Sequence, residues 1–134
     1  MTDTVSGDAP SLRVFVVENH ADTREALSML LVQLGHTVRG ASTFAEAVAA
    51  LTADEPDVII SDIGLPDGSG WDLLRQLRNP PYAVAMSGYG MNADRERSRA
   101  AGYRHHLVKP MDLEELETLL AEAARERAAS TSSN

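Results

Sequence analysis

Four groups of chemically capable residues each follow a short run that reads as a strand. Glu18 and Asn19 come after LRVFVV (12–17), Asp62 after DVIIS (57–61), Ser87 and Gly88 after YAVAM (82–86), and Lys109 after RHHLV (104–108). If those runs are neighbouring strands, their ends bring two carboxylates, an amide, a hydroxyl and an ammonium to one cleft. Such a set suits phosphoryl transfer to a carboxylate, with Asp62 as the nucleophile. Acidic oxygens hold Mg²⁺, a hard cation that bridges phosphoryl oxygens. A hydroxyl and an ammonium then neutralise charge on the transferred group. Taken singly, Glu18 reads as a surface acid, Ser87 as a turn residue and Asp62 as a loop cap. Their coincidence on one edge is what points to chemistry. Lys109 is also the only lysine among 12 lysine and arginine residues.

The elements that must position these groups are readable in order. Leu12 to Val17 is a buried strand by its β-branched content. Asp22 with Glu25 forms a capping box for a first helix carrying Ala26, Leu27, Leu30, Leu31 and Leu34, which Gly35 stops. His36 to Gly40 is a second strand, and Thr43 with Glu46 caps a second helix. Asp57 to Ser61 is a third strand, Asp62 to Gly70 a loop, and Trp71 to Leu77 a third helix ended by Asn79-Pro80-Pro81. Tyr82 to Met86, a helix from about Asn92 to Ala101 ended by Gly102, and Arg104 to Val108 follow. Asp112 and Glu115 cap the last helix. Five strands alternating with five helices predict an α/β fold: a doubly wound five-stranded parallel sheet with helices on both faces. Ligands bind such sheets beyond the carboxyl ends of the strands.

Residues 1–10 and 128–134 are polar and are expected to be disordered extensions around a domain at 11–127. No apolar run approaches the roughly 20 residues of a membrane helix, and residues 1–10 lack the basic start and apolar core of a signal peptide, so the expected compartment is the cytoplasm. A net charge of −8 argues against direct binding of nucleic acid through bulk charge. Charge is uneven, however. Residues 91–110 carry five basic side chains against two acidic ones, and residues 111–134 carry six acidic against two basic. Two solvated helix faces or a bipolar docking surface both fit that pattern.

The segments VFVVENHAD (14–22), DVIISDIGLPDGSGWDLL (57–74), MSGYG (86–90) and LVKPMDLEEL (107–116) resemble the receiver domains of two-component response regulators. The similarity covers about Leu12 to Arg127 and implies a flavodoxin-like (βα)5 fold. It implies that Asp62 is phosphorylated, and that Glu18, Asn19, Asp62 and the Gly64 carbonyl hold Mg²⁺. Ser87 matches the switch hydroxyl and Lys109 the lysine that pairs with the phosphoryl group. Gly64 and Tyr89 fall where the family tunes dephosphorylation, and Lys109-Pro110 where a cis peptide is usual. Leu65-Pro66-Asp67-Gly68 reads as a plain turn. The implied partners are a sensor histidine kinase or histidine phosphotransfer protein, a downstream effector protein, and in some members a second copy as a homodimer. Output would run through the fourth helix, fifth strand and last helix. The family signals rather than acting as an enzyme on other molecules.

Two positions depart from the family pattern. Receivers carry two acids after the first strand, the second a direct metal ligand; here Asn19 offers only a neutral oxygen, which predicts weaker Mg²⁺ binding. His106 stands where a switch tyrosine or phenylalanine is usual, and it reads either as a switch residue or as a half-exposed strand histidine. The alternative function is a pseudo-receiver, an interaction module working without phosphorylation because of Asn19. A phosphatase that uses an aspartate after a strand needs a second acid two residues on, where this chain has Gly64. No glycine loop follows the first strand, which disfavours nucleotide binding.

Overall fold

Parallel strands buried on both faces demand continuous apolar runs, and the three central strands of the sheet are built from them. The computed structural model describes residues 11–88 and 92–132. Its elements are β1 (Arg13–Val17), α1 (Ala21–Gln33), β2 (Thr37–Ala41), α2 (Phe44–Ala53), β3 (Val58–Asp62), a small hairpin of β4 (Gly64–Leu65) and β5 (Gly68–Ser69), α3 (Gly70–Leu73), β6 (Tyr82–Ser87), α4 (Asn92–Ala100), β7 (His105–Val108) and α5 (Leu113–Ser132). The main sheet is parallel, in the order β2-β1-β3-β6-β7. This is the doubly wound flavodoxin-like fold expected from the order of the elements.

Alternate residues of each strand feed two cores. Val14, Val16, Val58, Ile60, Val84 and Met86 pack with Leu27 and Leu31 of α1 and with Leu116, Leu119 and Leu120 of α5. Phe15, Val17, Ile59, Ala83 and Ala85 face the other way, onto Ala47, Leu51, Leu73, Leu74 and Tyr103. The period-2 alternation is what lets one sheet hold helices on both sides. Gly35 and Gly102 have φ of 98° and 106°, the left-handed conformation that ends α1 and α4.

Several boundaries differ from the sequence reading for physical reasons. The first capping box does not form. His20 is the N-cap of α1 and has no side-chain cap bond, because its N–H and ring are bonded to the Glu18 carboxylate. The other two boxes do form: Thr43 Oγ1 accepts from the Glu46 N–H, and Asp112 Oδ1 from the Glu115 N–H. The third helix is shorter than expected. After Leu73 it tightens into a 3₁₀ turn at Leu74–Gln76, and Leu77 is extended, leading toward the two prolines. The last helix is longer, running to Ser132 rather than ending at Arg127. Ala128 and Ala129 extend it, alanine being the strongest helix former, and no glycine or proline intervenes. The expected N-terminal extension lies outside the described residues.

His36 ties the start of β1 to the turn before β2, its Nδ1 accepting from the Leu12 N–H at 3.1 Å. Burial pushes its pKa below the ordinary value, and the bond itself needs an unprotonated ring nitrogen. The unfolded chain therefore takes up the proton first. The stability contributed is complete above about pH 6.5 and is lost as pH falls toward the depressed folded value. His36→Asn keeps an acceptor near the same place without a titrating ring. Urea melts at about pH 7.5 and about pH 5.5 should show a smaller acid loss in the variant than in wild type. Equal losses would contradict this account.

Candidate functional site

Register delivers the chemistry to one edge. β3 pairs with β6 so that Asp62 lies opposite Met86, and β6 pairs with β7 so that Ser87 lies opposite Val108. Beyond the strands, the Lys109 N–H donates to the Ser87 carbonyl at 2.8 Å and the Ile63 N–H to the Met86 carbonyl at 3.1 Å. Lys109 is thereby aimed back over β3, and the Lys109-Pro110 peptide is cis. Its Nζ donates to Asp62 Oδ2 and to Glu18 Oε1, each at 2.7 Å. One ammonium joins two carboxylates that lie 44 residues apart in sequence.

Each carboxylate is also held by its other oxygen. Asp62 Oδ1 accepts from the Gly64 N–H at 3.0 Å, and Glu18 Oε2 from the His20 N–H at 2.9 Å, with the His20 ring at 3.0 Å. The Glu18 side chain is fully buried and that of Asp62 is 11% exposed. Burial works against the charge on Glu18, but the bonds from Lys109 and His20 outweigh it and its pKa is lowered. Burial also works against the Lys109 ammonium; the bonds to Asp62 and Glu18 outweigh it, and its pKa is raised. Both groups are therefore fixed as ions.

Ser87 and His106 are joined to each other. Ser87 Oγ lies 2.8 Å from His106 Nε2, and both residues are buried. His106 Nδ1 lies 2.8 Å from Ser98 Oγ on α4, which accepts from Trp71 Nε1 at 2.9 Å. His106 is buried, so the half-exposed reading does not hold.

The loop after β3 is more than a turn. Asp67 accepts from the N–H groups of Phe44 and Ala45, at 2.7 and 3.0 Å, capping α2 from outside its own segment. Those bonds lower its pKa. Gly70 donates its N–H to the Ile63 carbonyl at 2.9 Å and accepts from the Tyr103 hydroxyl at 2.6 Å. A Cβ on Gly70 would stand 2.3 Å from the Asp62 carbonyl oxygen. This glycine is what allows the loop to close against the backbone of Asp62.

Of the residues singled out from the sequence, Glu18, Asp62 and Lys109 meet directly, with Gly64 bonded to Asp62 and Ser87 bonded to His106. Asn19 is exposed, and its side chain makes no hydrogen bond to another described residue. Tyr89 lies outside the described residues. Among the described residues no group of three or more histidine, cysteine or acidic side chains is gathered as a metal cluster. His20, Gly70, Ser98, Trp71 and Tyr103 were not singled out. Ser98, one polar residue on a charged helix, gave no signal of its own. His105, without an assigned role, bonds Glu122, and Arg104 bonds Glu126, so part of the uneven charge is neutralised internally.

Residues 14–121 match the family model described as the response regulator receiver domain. The chain is 36% identical over 118 residues to the response regulator protein PilR of Pseudomonas aeruginosa, covering 86% of this chain and 26% of that protein. It is 31% identical over 108 residues to an uncharacterized 14.6 kDa protein of Leptolyngbya boryana, covering 77% and 82%. Against PilR and the Pseudomonas and Mycobacterium regulators PhoP and KdpE, it spans about a quarter to about half of their length. In fold it is similar to a chain in the Saccharomyces cerevisiae co-crystal structure of the phosphotransfer protein Ypd1 with the receiver domain of Ssk1. The TM-score is 0.82 at 22% identity, covering 89% of this chain and 92% of that one.

Two substitutions test what holds the site. Lys109→Met leaves two desolvated carboxylates without their shared cation and should cost about 2–4 kcal/mol in urea denaturation. The lower part of that range is favoured because the Lys109 side chain is 23% exposed. Adding Glu18→Gln should recover part of the loss, whereas an unchanged midpoint in the single variant would count against the bridge. Gly70→Ala drives a Cβ into backbone and should cost about 1–3 kcal/mol. A fully stable Gly70→Ala protein would mean that the loop relaxes freely.

Proposed function

The chain belongs to the response regulator receiver domains of two-component systems, and we propose that Asp62 is its phosphoacceptor. The observation that carries this reading is the Lys109 ammonium held at 2.7 Å from both Asp62 and Glu18. A carboxylate at the strand edge beside a cation already in place resembles half of a phosphoryl-binding site before the phosphoryl group arrives.

The donor is a phosphohistidine of a sensor kinase or of a histidine phosphotransfer protein. An oxygen of Asp62 attacks phosphorus, the new O–P bond forms as the N–P bond breaks, and the electron pair leaves with the donor's imidazole nitrogen. Lys109 then has phosphoryl oxygens to pair with, and Ser87 supplies a hydroxyl on the neighbouring strand. The donor set suits Mg²⁺: two carboxylates and neutral oxygens are the hard ligands that this ion takes, usually with retained waters. Glu18, Asp62, the Asn19 side-chain oxygen and the Gly64 carbonyl would hold it, and when bound it neutralises phosphoryl charge. Output through α4, β7 and α5 to an effector protein follows the family pattern.

Incubation with acetyl phosphate and Mg²⁺, read by intact mass, should add one phosphoryl group to wild type and none to Asp62→Asn. No gain in wild type would instead support the interaction module that works without phosphorylation. Asn19→Asp adds a third negative charge where the ion would be held, and it should bind Mg²⁺ more tightly by titration calorimetry. An unchanged affinity would remove Asn19 from the metal site.

A further inference from the structure

The bonds running from Ser87 through His106 and Ser98 to Trp71 leave the strand edge and cross beneath α4. We propose that Ser98 and Trp71 are positioning residues for the phosphoacceptor site. They fix the tautomer of His106 so that its ring donates to Ser87, and the Ser87 hydroxyl proton is not given up to the ring. This rests on the reading of Asp62 as phosphoacceptor.

The proton order follows from counting donors. The Trp71 indole N–H can only donate, so Ser98 Oγ accepts it. Ser98 is 1% exposed, and among the described residues its hydroxyl has no other partner than Trp71 and His106. A buried hydroxyl proton left without an acceptor is costly, so that proton goes to His106 Nδ1. Nδ1 is then the bare nitrogen of the neutral ring, and Nε2 carries the hydrogen. Nε2–H donates to Ser87 Oγ, 2.8 Å away. The Ser87 proton is thus not used up on His106. The opposite order, with Ser87 donating to Nε2 and Nδ1–H donating to Ser98, would strand the Ser98 proton and spend the Ser87 proton on the ring.

Both far residues are built to stay in place. Ser98 sits on α4, where the Tyr103 N–H donates to its carbonyl at 3.0 Å and closes the helix end. Trp71 is the only tryptophan in the chain. The Arg97 guanidinium covers its ring at 4.1 Å, and the Trp71 N–H is bonded to the Ser69 hydroxyl at 3.1 Å. Trp71 also directly follows Gly70, which touches the backbone of Asp62, so the chain of bonds returns to the loop from which the site is made.

The test reads the tautomer first, in the unphosphorylated full chain. Long-range ¹H–¹⁵N correlation on histidine-labelled protein should show His106 as the Nε2–H form. Ser98→Ala should convert it to a mixture, and Ser98→Thr, which keeps the hydroxyl, should restore it. Phosphorylation by acetyl phosphate with Mg²⁺ is then timed by intact mass. Ser98→Ala should be slower by about 5-fold, as expected for one misdirected hydrogen bond, with Ser98→Thr near wild type. Trp71→Phe keeps the ring but not the donor, and it should shift the tautomer in the same direction. Where Ser98→Ala fails to fold, the Trp71→Phe and Ser98→Thr pair decides. An Nδ1–H ring in wild type, or equal rates across the series, overturns the inference alone. Absence of phosphorylation in wild type overturns the phosphoacceptor reading and this inference with it.

Discussion

A single ammonium between two desolvated carboxylates is the constraint around which this site is arranged. Glu18 is fully buried, and Asp62 nearly so. Two like charges so placed, with no cation between them, would repel strongly in a site largely shut off from water. Lys109 removes that outcome, with help from the N–H groups of His20 and Gly64. A charged, fixed carboxylate is what nucleophilic chemistry at Asp62 requires, so the condition for stability and the condition for function are the same.

Backbone hydrogen bonding delivers the three residues to one point. The parallel register fixes Asp62, Ser87 and the start of the Lys109 turn at the same edge. The two cores on opposite sheet faces then hold that edge rigid. Because the three central strands are buried on both sides, a slip in register would swap side chains between the two cores as well as separating the charges. The loop beyond Asp62 is tied down three times, by Asp67 on α2, by Gly70 against the strand end and by the Tyr103 hydroxyl.

The doubly wound parallel sheet and the meeting of Glu18, Asp62 and Lys109 were legible because they depend on apolar runs and on residues at run ends. Local helix starts were less so. Asp22 and Glu25 match a capping box in every letter, yet Glu18, two residues before His20 and itself held by the distant Lys109, takes the His20 N–H and ring, which no helix-start pattern contains. The α5 extension follows from alanine propensity, which a polar tail composition had obscured. Ser98 and Trp71 could not be paired from sequence at all. They lie 27 residues apart on different helices, and only the crossover between them makes them neighbours. Asp67 is similar: a turn residue by composition, it is a helix cap through space.

The central claim is that Asp62 itself takes the phosphoryl group. Reduction of the phosphorylated chain with borohydride converts an aspartyl phosphate to homoserine, and peptide mass spectrometry then locates it. The account predicts homoserine at position 62 and at no other aspartate. Homoserine elsewhere, or a phosphoryl group found on a hydroxyl or histidine side chain, would contradict it.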